Sequence, residues 1–134
     1  MHIITLLSSG GVHSRYNQLK GLMQGAVADG CKKLRLHVLT DGRDVPDGTS
    51  REYMSTLVND LAALEGCDAK VASGGGRMKV TMDRYEADWA MVERGWKAHV
   101  LGEAPNKFTD PIEGLKKLKD CLLYTSDAAD ELRS

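Results

Sequence analysis

The sequence has few cysteines, no excess of either charge and no long apolar run, and each absence narrows the possible functions. Its 134 residues carry 18 basic and 19 acidic side chains, a formal net charge of −1. Nucleic acids and anionic lipid surfaces attract strongly basic proteins, so this balance predicts neither partner. The apolar runs span only a few residues. Because a helix needs ~20 apolar residues to cross a bilayer, no membrane span is expected.

The chain also lacks the marks of a secreted, disulfide-rich protein. No positively charged segment followed by an apolar stretch opens it, so nothing predicts secretion. Cys31, Cys67 and Cys121 are odd in number, far apart along the chain and free of any C-x-x-C pattern. We therefore expect neither a disulfide framework nor a zinc site, and reduced thiols favour a cytoplasmic location.

What the sequence does contain is a repeated alternation of strand-like and helix-like segments. Strands are predicted at residues 2–7, 34–39, 69–73 and 98–101. Helices are predicted to follow Ser14, Thr49, Asp83 and Asp110. The third helix is expected to bury Trp89 and Trp96. This order predicts an α/β fold of three layers, with a mainly parallel sheet and helices on both faces, forming an incomplete domain.

The last fourteen residues are treated separately. Residues 121–130 read C-L-L-Y-T-S-D-A-A-D, which breaks the helical spacing and resembles the conceptual translation of a sequencing-library adapter. We therefore predict a partial domain over residues 1–120 and a non-native tail over residues 121–134, on which no function is based. The alternative is a genuine, frayed tail.

Charged residues gather where the predicted strands end. His13 follows the first strand, Arg43 and Asp44 follow the second, Arg77 follows a run of three glycines after the third, and Arg84 lies in the next helix. The carboxyl ends of parallel strands meet at one edge of a sheet. The sequence therefore predicts that these five side chains share a site.

Three arginines around one acid indicate a small ligand with several negative charges. A guanidinium matches carboxylate and phosphate oxygens, and each charge-assisted hydrogen bond is worth roughly 1.5–3 kcal/mol. Asp44 is suited to hold a hydroxyl group or to accept its proton, and His13 to donate to an anion or to shuttle a proton.

Each of these features also has a structural explanation. A histidine after two glycines is often a turn residue, and Arg43 beside Asp44 is often a surface ion pair worth ~0–1 kcal/mol. Glycines 74–76 are typical of a flexible turn. Their spacing is not the G-x-G-x-x-G of a dinucleotide site, which disfavours that class.

Three motifs resemble one enzyme family, the cofactor-independent phosphoglycerate mutases. They are LLSSGGVHS at 6–14, LTDGRD at 39–44 and GGRMKVTMDRY at 75–85. The resemblance runs over residues 2–120, and GEAP at 102–105 is similar to the plant-type branch.

The resemblance implies part of a glycolytic isomerase that interconverts 3-phosphoglycerate and 2-phosphoglycerate through a phospho-serine intermediate, without bisphosphoglycerate. It implies two divalent metals, usually manganese, held with the serine by an alkaline-phosphatase-like domain that is absent here, so no metal ligand is expected in this chain. The full-length enzyme is expected to be a monomer. Carried over by motif, the substrate contacts are His13, Arg43, Asp44, Arg77 and Arg84, with Asp44 orienting or deprotonating a glycerate hydroxyl.

The chain departs from the family at two positions and in its extent. Ser9 stands where the family usually has Asp, and Lys79 where the plant-type pattern usually has Tyr. A further arginine motif, the serine and the metal ligands are missing, so we expect no mutase activity from this chain alone. The alternative is a non-catalytic α/β module that binds small anions.

Overall fold

Three parallel strands form the centre of the fold in the computed structural model, which describes residues 1–46, 49–83, 85–118 and 124–126. In chain order the elements are β1 (His2–Leu7), α1 (Tyr16–Ala28), β2 (Lys33–Thr40), α2 (Ser50–Ala62), β3 (Asp68–Gly76), α3 (Trp89–Trp96), a π-helix (Lys97–Leu101), β4 (Asn106–Phe108), α4 (Pro111–Leu118) and β5 (Tyr124–Ser126). The described helices include none long and apolar enough to cross a membrane.

The sheet has the order β1-β2-β3-β5-β4. β1 pairs with β2 and β2 with β3 in parallel, while β5 runs antiparallel to β3 and parallel to β4. Leu7 pairs with Thr40, and Thr40 pairs with Gly76. The three parallel strands therefore end at the same level, which we call the carboxyl edge. The predicted mainly parallel sheet is confirmed.

Side chains alternate across the sheet and build two different layers. Leu34, Leu36 and Val38 of β2 are buried in the main core. That core also takes in side chains of α1, α2 and α4, among them Met23, Met54, Leu57, Leu61 and Leu115. On the other face a smaller cluster joins Leu6, Leu39, Val80 and Ala98 under the π-helix. Helices thus cover both faces, as predicted.

The strand predicted at residues 98–101 is wrong, because this segment forms the π-helix that continues α3. A short apolar run does not by itself distinguish a strand from a helix. α3 begins at Trp89, later than predicted, and Asp88 caps it by accepting from the Met91 N–H at 3.0 Å. The earlier start is prevented because Tyr85 and Glu86 have φ values of 74° and 57°, outside the right-handed helical region. Trp89 and Trp96 are 64% and 52% exposed, so the predicted burial is wrong.

Two predicted caps also differ in detail. α1 begins at Tyr16 with Arg15 at the N-cap, so Ser14 does not cap it. Thr49 holds the N-cap of α2, but its hydroxyl donates to the Pro46 carbonyl at 2.8 Å and makes no cap hydrogen bond. The start of α4 is as predicted, since Asp110 Oδ1 accepts from the Ile112 N–H at 2.9 Å.

Three further segments extend the sheet beyond the sequence prediction, and one of them is β4, Asn106–Phe108, where no strand is predicted. Glycines 74–76 were predicted as a turn, but they lie in β3 and pair with residues 38–40 of β2. Tyr124–Ser126, within the predicted tail, forms β5 between β3 and β4. The rest of residues 121–134 lies outside the described part of the chain, and the boundary at residue 120 stays a prediction.

Candidate functional site

Two loops meet at the carboxyl edge, one after β1 and one after β2. A Cβ atom built on Gly10 would lie 2.5 Å from the Asp44 carbonyl oxygen and 2.8 Å from its Cβ. Real Cβ atoms do not approach other atoms so closely, so Gly10 is required for the first loop to pack on the second. The loops after β1 and β2 therefore pack directly against each other.

Arg77 lies at the centre of this edge, immediately after β3. Its backbone N–H donates to the Thr40 carbonyl at 3.0 Å, and this hydrogen bond fixes the Arg77 backbone against the end of β2. The side chain is only 7% exposed. Its Nη1 donates to Asp44 Oδ2 at 2.7 Å and to Asp41 Oδ1 at 3.1 Å. A buried guanidinium is therefore held in place by two carboxylates.

Asp41 was missed by the sequence prediction, which named Asp44 as the acid set among the arginines. The Asp41 side chain is 1% exposed. Its Oδ1 accepts from the backbone N–H of Arg43 at 3.0 Å and of Asp44 at 3.1 Å, so it also shapes the turn that carries both. An aspartate that bonds to the backbone two and three residues on is a known turn signal, and D-G-R-D contains it.

The pKa of the Asp41 carboxyl reflects these contacts. Burial by itself raises the pKa, but hydrogen bonds from the Ser8 hydroxyl, the two backbone N–H groups and the Arg77 guanidinium outweigh burial and lower it to about 2. Asp41 is therefore ionised near neutral pH. The same two carboxylates raise the pKa of Arg77 against the effect of its own burial.

The other residues predicted for the site do not share the burial of Arg77. Arg43 and His13 are exposed, on the loops that follow β2 and β1. Arg84 lies outside the described residues. The departing residues Ser9 and Lys79 are both exposed. Arg15 was not predicted, yet its guanidinium lies against Gly11, 2.7 Å from a Cβ placed there, and brings another cation to the first loop.

The described site thus combines a fixed, buried centre with exposed charges. Arg77 was predicted to bind a ligand, and its Nη1 is engaged by Asp41 and Asp44. A guanidinium has five N–H donors in a planar fork, so donors beyond Nη1 remain to bind oxygens of a ligand. Asp44 is 12% exposed and lies at the boundary between this centre and solvent.

The described residues do not fit a divalent metal. Among them there is no group of three or more His, Cys, Asp or Glu side chains arranged to hold an ion. No step of a reaction is therefore assigned to a metal on this chain.

A second buried polar group lies on the face of the sheet under the π-helix, and the sequence analysis did not find it. Ser73 Oγ is 2.6 Å from His37 Nδ1 and 2.7 Å from His99 Nδ1. The chain of contacts continues from His37 Nε2 to His2 Nδ1 at 3.1 Å, and from His99 Nε2 to Thr81 Oγ1 at 3.0 Å. We call these five residues the histidine network.

Burial determines the charge state of His37 and His99. It lowers the pKa of His37 to about 4, with further lowering by His99 and His2, and it lowers the pKa of His99 to about 4. Both imidazoles are therefore neutral at neutral pH. The network links the loop after β3 to the sheet through Thr81, which has a φ of 69°.

Comparisons with known proteins agree with the motifs. The family model described as the BPG-independent PGAM N-terminus (iPGM_N) matches residues 1–132. A 2,3-bisphosphoglycerate-independent phosphoglycerate mutase of Nicotiana tabacum is 62% identical over 121 residues, which are 89% of this chain and 22% of that protein. One of Trypanosoma brucei brucei is 56% identical over 122 residues, 90% of this chain and 22% of that protein.

A solved structure is similar as well. A crystal structure of Leishmania mexicana phosphoglycerate mutase at low cobalt concentration matches with a TM-score of 0.90 and 48% identity, over 93% of this chain and 25% of that one. The chain therefore spans about a fifth of the length of the curated relatives. The resemblance stated from the motifs is confirmed.

Proposed function

The chain belongs to the BPG-independent PGAM N-terminus family, and from that membership we propose that it is part of the substrate-binding region of a phosphoglycerate mutase. The whole enzyme interconverts 3-phosphoglycerate and 2-phosphoglycerate in glycolysis through a phospho-serine intermediate. This segment holds the glycerate part while the phosphoryl group leaves one hydroxyl and returns to the other.

One observation carries this proposal: Arg77 is buried at the carboxyl edge and held by Asp41 and Asp44. A guanidinium fixed in this way loses little conformational freedom when it binds an anion, which is the advantage of preorganisation. The exposed Arg43 lies on the same loop as both carboxylates, within reach of solvent. A buried arginine held by two carboxylates, together with an exposed one, suits a small phosphorylated acid.

The proposed roles follow from burial and charge. Arg77 and Arg43 bind carboxylate and phosphate oxygens, with His13 and Arg84 as further contacts. Asp44 is ion-paired yet partly exposed, so its carboxylate is suited to accept a hydrogen bond from a glycerate hydroxyl and to orient it, or to take its proton. Asp41 acts through Arg77 and through the turn, and is a positioning residue.

The rest of the enzyme is proposed to lie in the segments that the relatives have and this chain does not. Those segments supply the serine that accepts the phosphoryl group and the divalent metals, manganese being our proposal. The Leishmania mexicana phosphoglycerate mutase was crystallised at low cobalt concentration. We propose that residues 1–120 form the native part of this domain, that the complete enzyme is a cytoplasmic monomer without nucleic-acid or membrane partners, and that this chain alone does not catalyse the reaction.

Titration of the purified chain with 3-phosphoglycerate by calorimetry tests the site. Arg43→Ala is the informative variant, because this exposed side chain can be removed without leaving a buried charge unpaired. We expect it to weaken binding at least ~10-fold, the loss of one charge-assisted contact. Arg77→Ala is expected to weaken binding more, although it also leaves Asp41 and Asp44 without their cation.

The matched control is Lys70→Ala. Lys70 lies in β3 toward its amino-terminal end, is exposed and pairs with Asp68. Lys70→Ala removes one positive charge, as Arg43→Ala does. The affinity for 3-phosphoglycerate should nevertheless stay within ~2-fold of the parent, since exposed ion pairs contribute little. If Arg43→Ala and Arg77→Ala both bound as tightly as the parent, the site would be wrong. Mutase turnover by the purified chain would contradict the proposed dependence on absent segments.

A further inference from the structure

Two cysteines that are far apart in the sequence meet at the amino-terminal ends of β2 and β3. Cys31 precedes β2 and Cys67 immediately precedes β3. The two strands are already in register there, because Lys33 pairs with Asp68 and the Asp68 N–H donates to the Lys32 carbonyl at 2.9 Å. Adjacent strands lie ~4.8 Å apart, and this separation is compatible with a disulfide between cysteines at the ends of two neighbouring strands.

The two sulfur atoms also lie on the same side of the sheet. Both side chains pack against the main core, and both are half-buried free thiols. The Cys31 thiol donates to the Lys33 carbonyl at 3.3 Å, and Cys31 is near enough to raise the pKa of the Cys67 thiol, which burial raises first. The fold thus brings together two thiols that the sequence analysis had treated as isolated.

We propose that Cys31 and Cys67 are a modification site, at which the two cysteines form a reversible disulfide with each other. The oxidant is a low-molecular-weight disulfide such as oxidised glutathione. One cysteine thiolate attacks a glutathione sulfur, which makes a mixed disulfide and releases one glutathione thiolate. The other cysteine thiolate attacks the protein sulfur of that mixed disulfide and releases the second glutathione. Two electrons pass from the protein to glutathione, and the two thiol protons go to solvent or to the released thiolates.

The bond closes a loop over residues 31–67, which contains β2 and α2 and the turn that carries Asp41, Arg43 and Asp44. It lies at the end of the strands opposite the carboxyl edge, so it does not touch the candidate site. This inference is independent of the proposed function, because it rests on the register of β2 and β3 and on the packing of both cysteines against the main core.

The test is a disulfide-exchange experiment on the reduced chain in a Cys121→Ser background, which leaves the two proposed partners. Burial and the neighbouring Cys31 raise the pKa of Cys67, so the exchange is run at mildly alkaline pH. Oxidised glutathione is added, samples are quenched with acid, and peptides are mapped by mass spectrometry without reduction. A parallel arm contains concentrated urea, and two variants carry Cys31→Ser or Cys67→Ser.

We expect a Cys31–Cys67 disulfide to form at least ~10-fold faster in the folded chain than in urea, because the fold holds the thiols together. Reductant should reverse it, and each serine variant should stop at the mixed disulfide with glutathione. Equal rates in the folded and urea arms would overturn the proposal. A folded chain that keeps glutathione on either cysteine, with no linked peptide, would overturn it as well.

Discussion

The two faces of the sheet are both buried, yet they are built from different chemistry. The face under α1, α2 and α4 is an apolar core around Leu34, Leu36 and Val38. The face under the π-helix buries His37, Ser73 and His99 of the histidine network. It also buries Arg35, which pairs with Asp68 at 2.7 Å. Apolar burial contributes stability that does not depend on protons, whereas buried imidazoles tie stability to pH.

The hydrogen bonds of His37 and His99 are all satisfied only when both imidazoles are neutral. Ser73 can donate to one imidazole and accept from the other, and either direction gives His37 and His99 a partner at each ring nitrogen. If both rings were protonated, two N–H groups would point at one hydroxyl, with ring centroids 5.5 Å apart. We call the face under the π-helix the polar face. We expect acid to destabilise this face before the apolar face.

The largest expected effect is the response of the polar face to acid. The pKa of His37 and His99 is lowered from 6.5 to about 4 in the folded chain. Below pH ~6.5 the unfolded chain binds protons that the folded chain does not, so the free energy of unfolding falls as pH drops toward 4. At ~1.36 kcal/mol per pKa unit and group, the total for the two histidines is roughly 7 kcal/mol, measured by urea unfolding at a series of pH values.

The double variant His37→Asn, His99→Gln is the control for that titration, and its stability should change much less over the same interval. The titration of Asp41 does not overlap this pH interval. Its pKa is lowered to about 2, so its contribution to the free energy of unfolding is lost only below the ordinary carboxyl range. A parent chain whose unfolding free energy stays constant from pH 7 to 4.5 would contradict the prediction.

Truncation on the apolar face should give the next largest effect. Leu57 of α2 is fully buried in the main core. Leu57→Ala removes apolar contacts and leaves a cavity, so we expect a loss of ~2–5 kcal/mol in unfolding free energy. Its pH dependence should match that of the parent. A changed slope between pH 6.5 and 4 would show that the two faces are not independent.

Removing the central hydroxyl of the polar face should cost less. Ser73→Ala leaves one nitrogen of His37 and one of His99 without their shared partner, which predicts a loss of ~1–3 kcal/mol at pH 7 by thermal or urea unfolding. Ser55→Ala, at a half-buried serine of α2, is the matched control and should stay within ~0.5 kcal/mol. Equal effects of the two substitutions would argue against a stabilising network.

The smallest effect is expected where the sheet extends past β3. We predict that a chain ending at residue 120 melts within ~1 °C of the full chain, because residues 121–134 are predicted to be a non-native tail. The measurement is a thermal unfolding scan of both chains. A drop of ~4 °C or more in Tm would contradict the predicted non-native tail and would mean that β5 stabilises the sheet in which it lies, since that drop corresponds to about 1 kcal/mol in a domain of this size.

Local patterns predicted much of this fold and failed at identifiable places. The three parallel strands follow from their apolar runs, and the start of α4 from Asp110 before Pro111. The segment at 98–101 was read as a strand because four residues do not reveal a period. The start of α3 was misjudged because the left-handed backbone at Tyr85 and Glu86 has no signature in their side chains.

The candidate site divides in the same way. The sequence by itself determined the family motifs and the gathering of His13, Arg43, Asp44 and Arg77 near strand ends, because the carboxyl ends of parallel strands share an edge.

Tertiary structure alone decided which groups touch. The Arg77–Asp41 pair joins residues 36 apart in the chain, and so does the His37–Ser73 contact. The meeting of Cys31 with Cys67 likewise depends on the register of β2 and β3. Such contacts are fixed by the packing of strands and loops that are distant in sequence, and no local pattern encodes them.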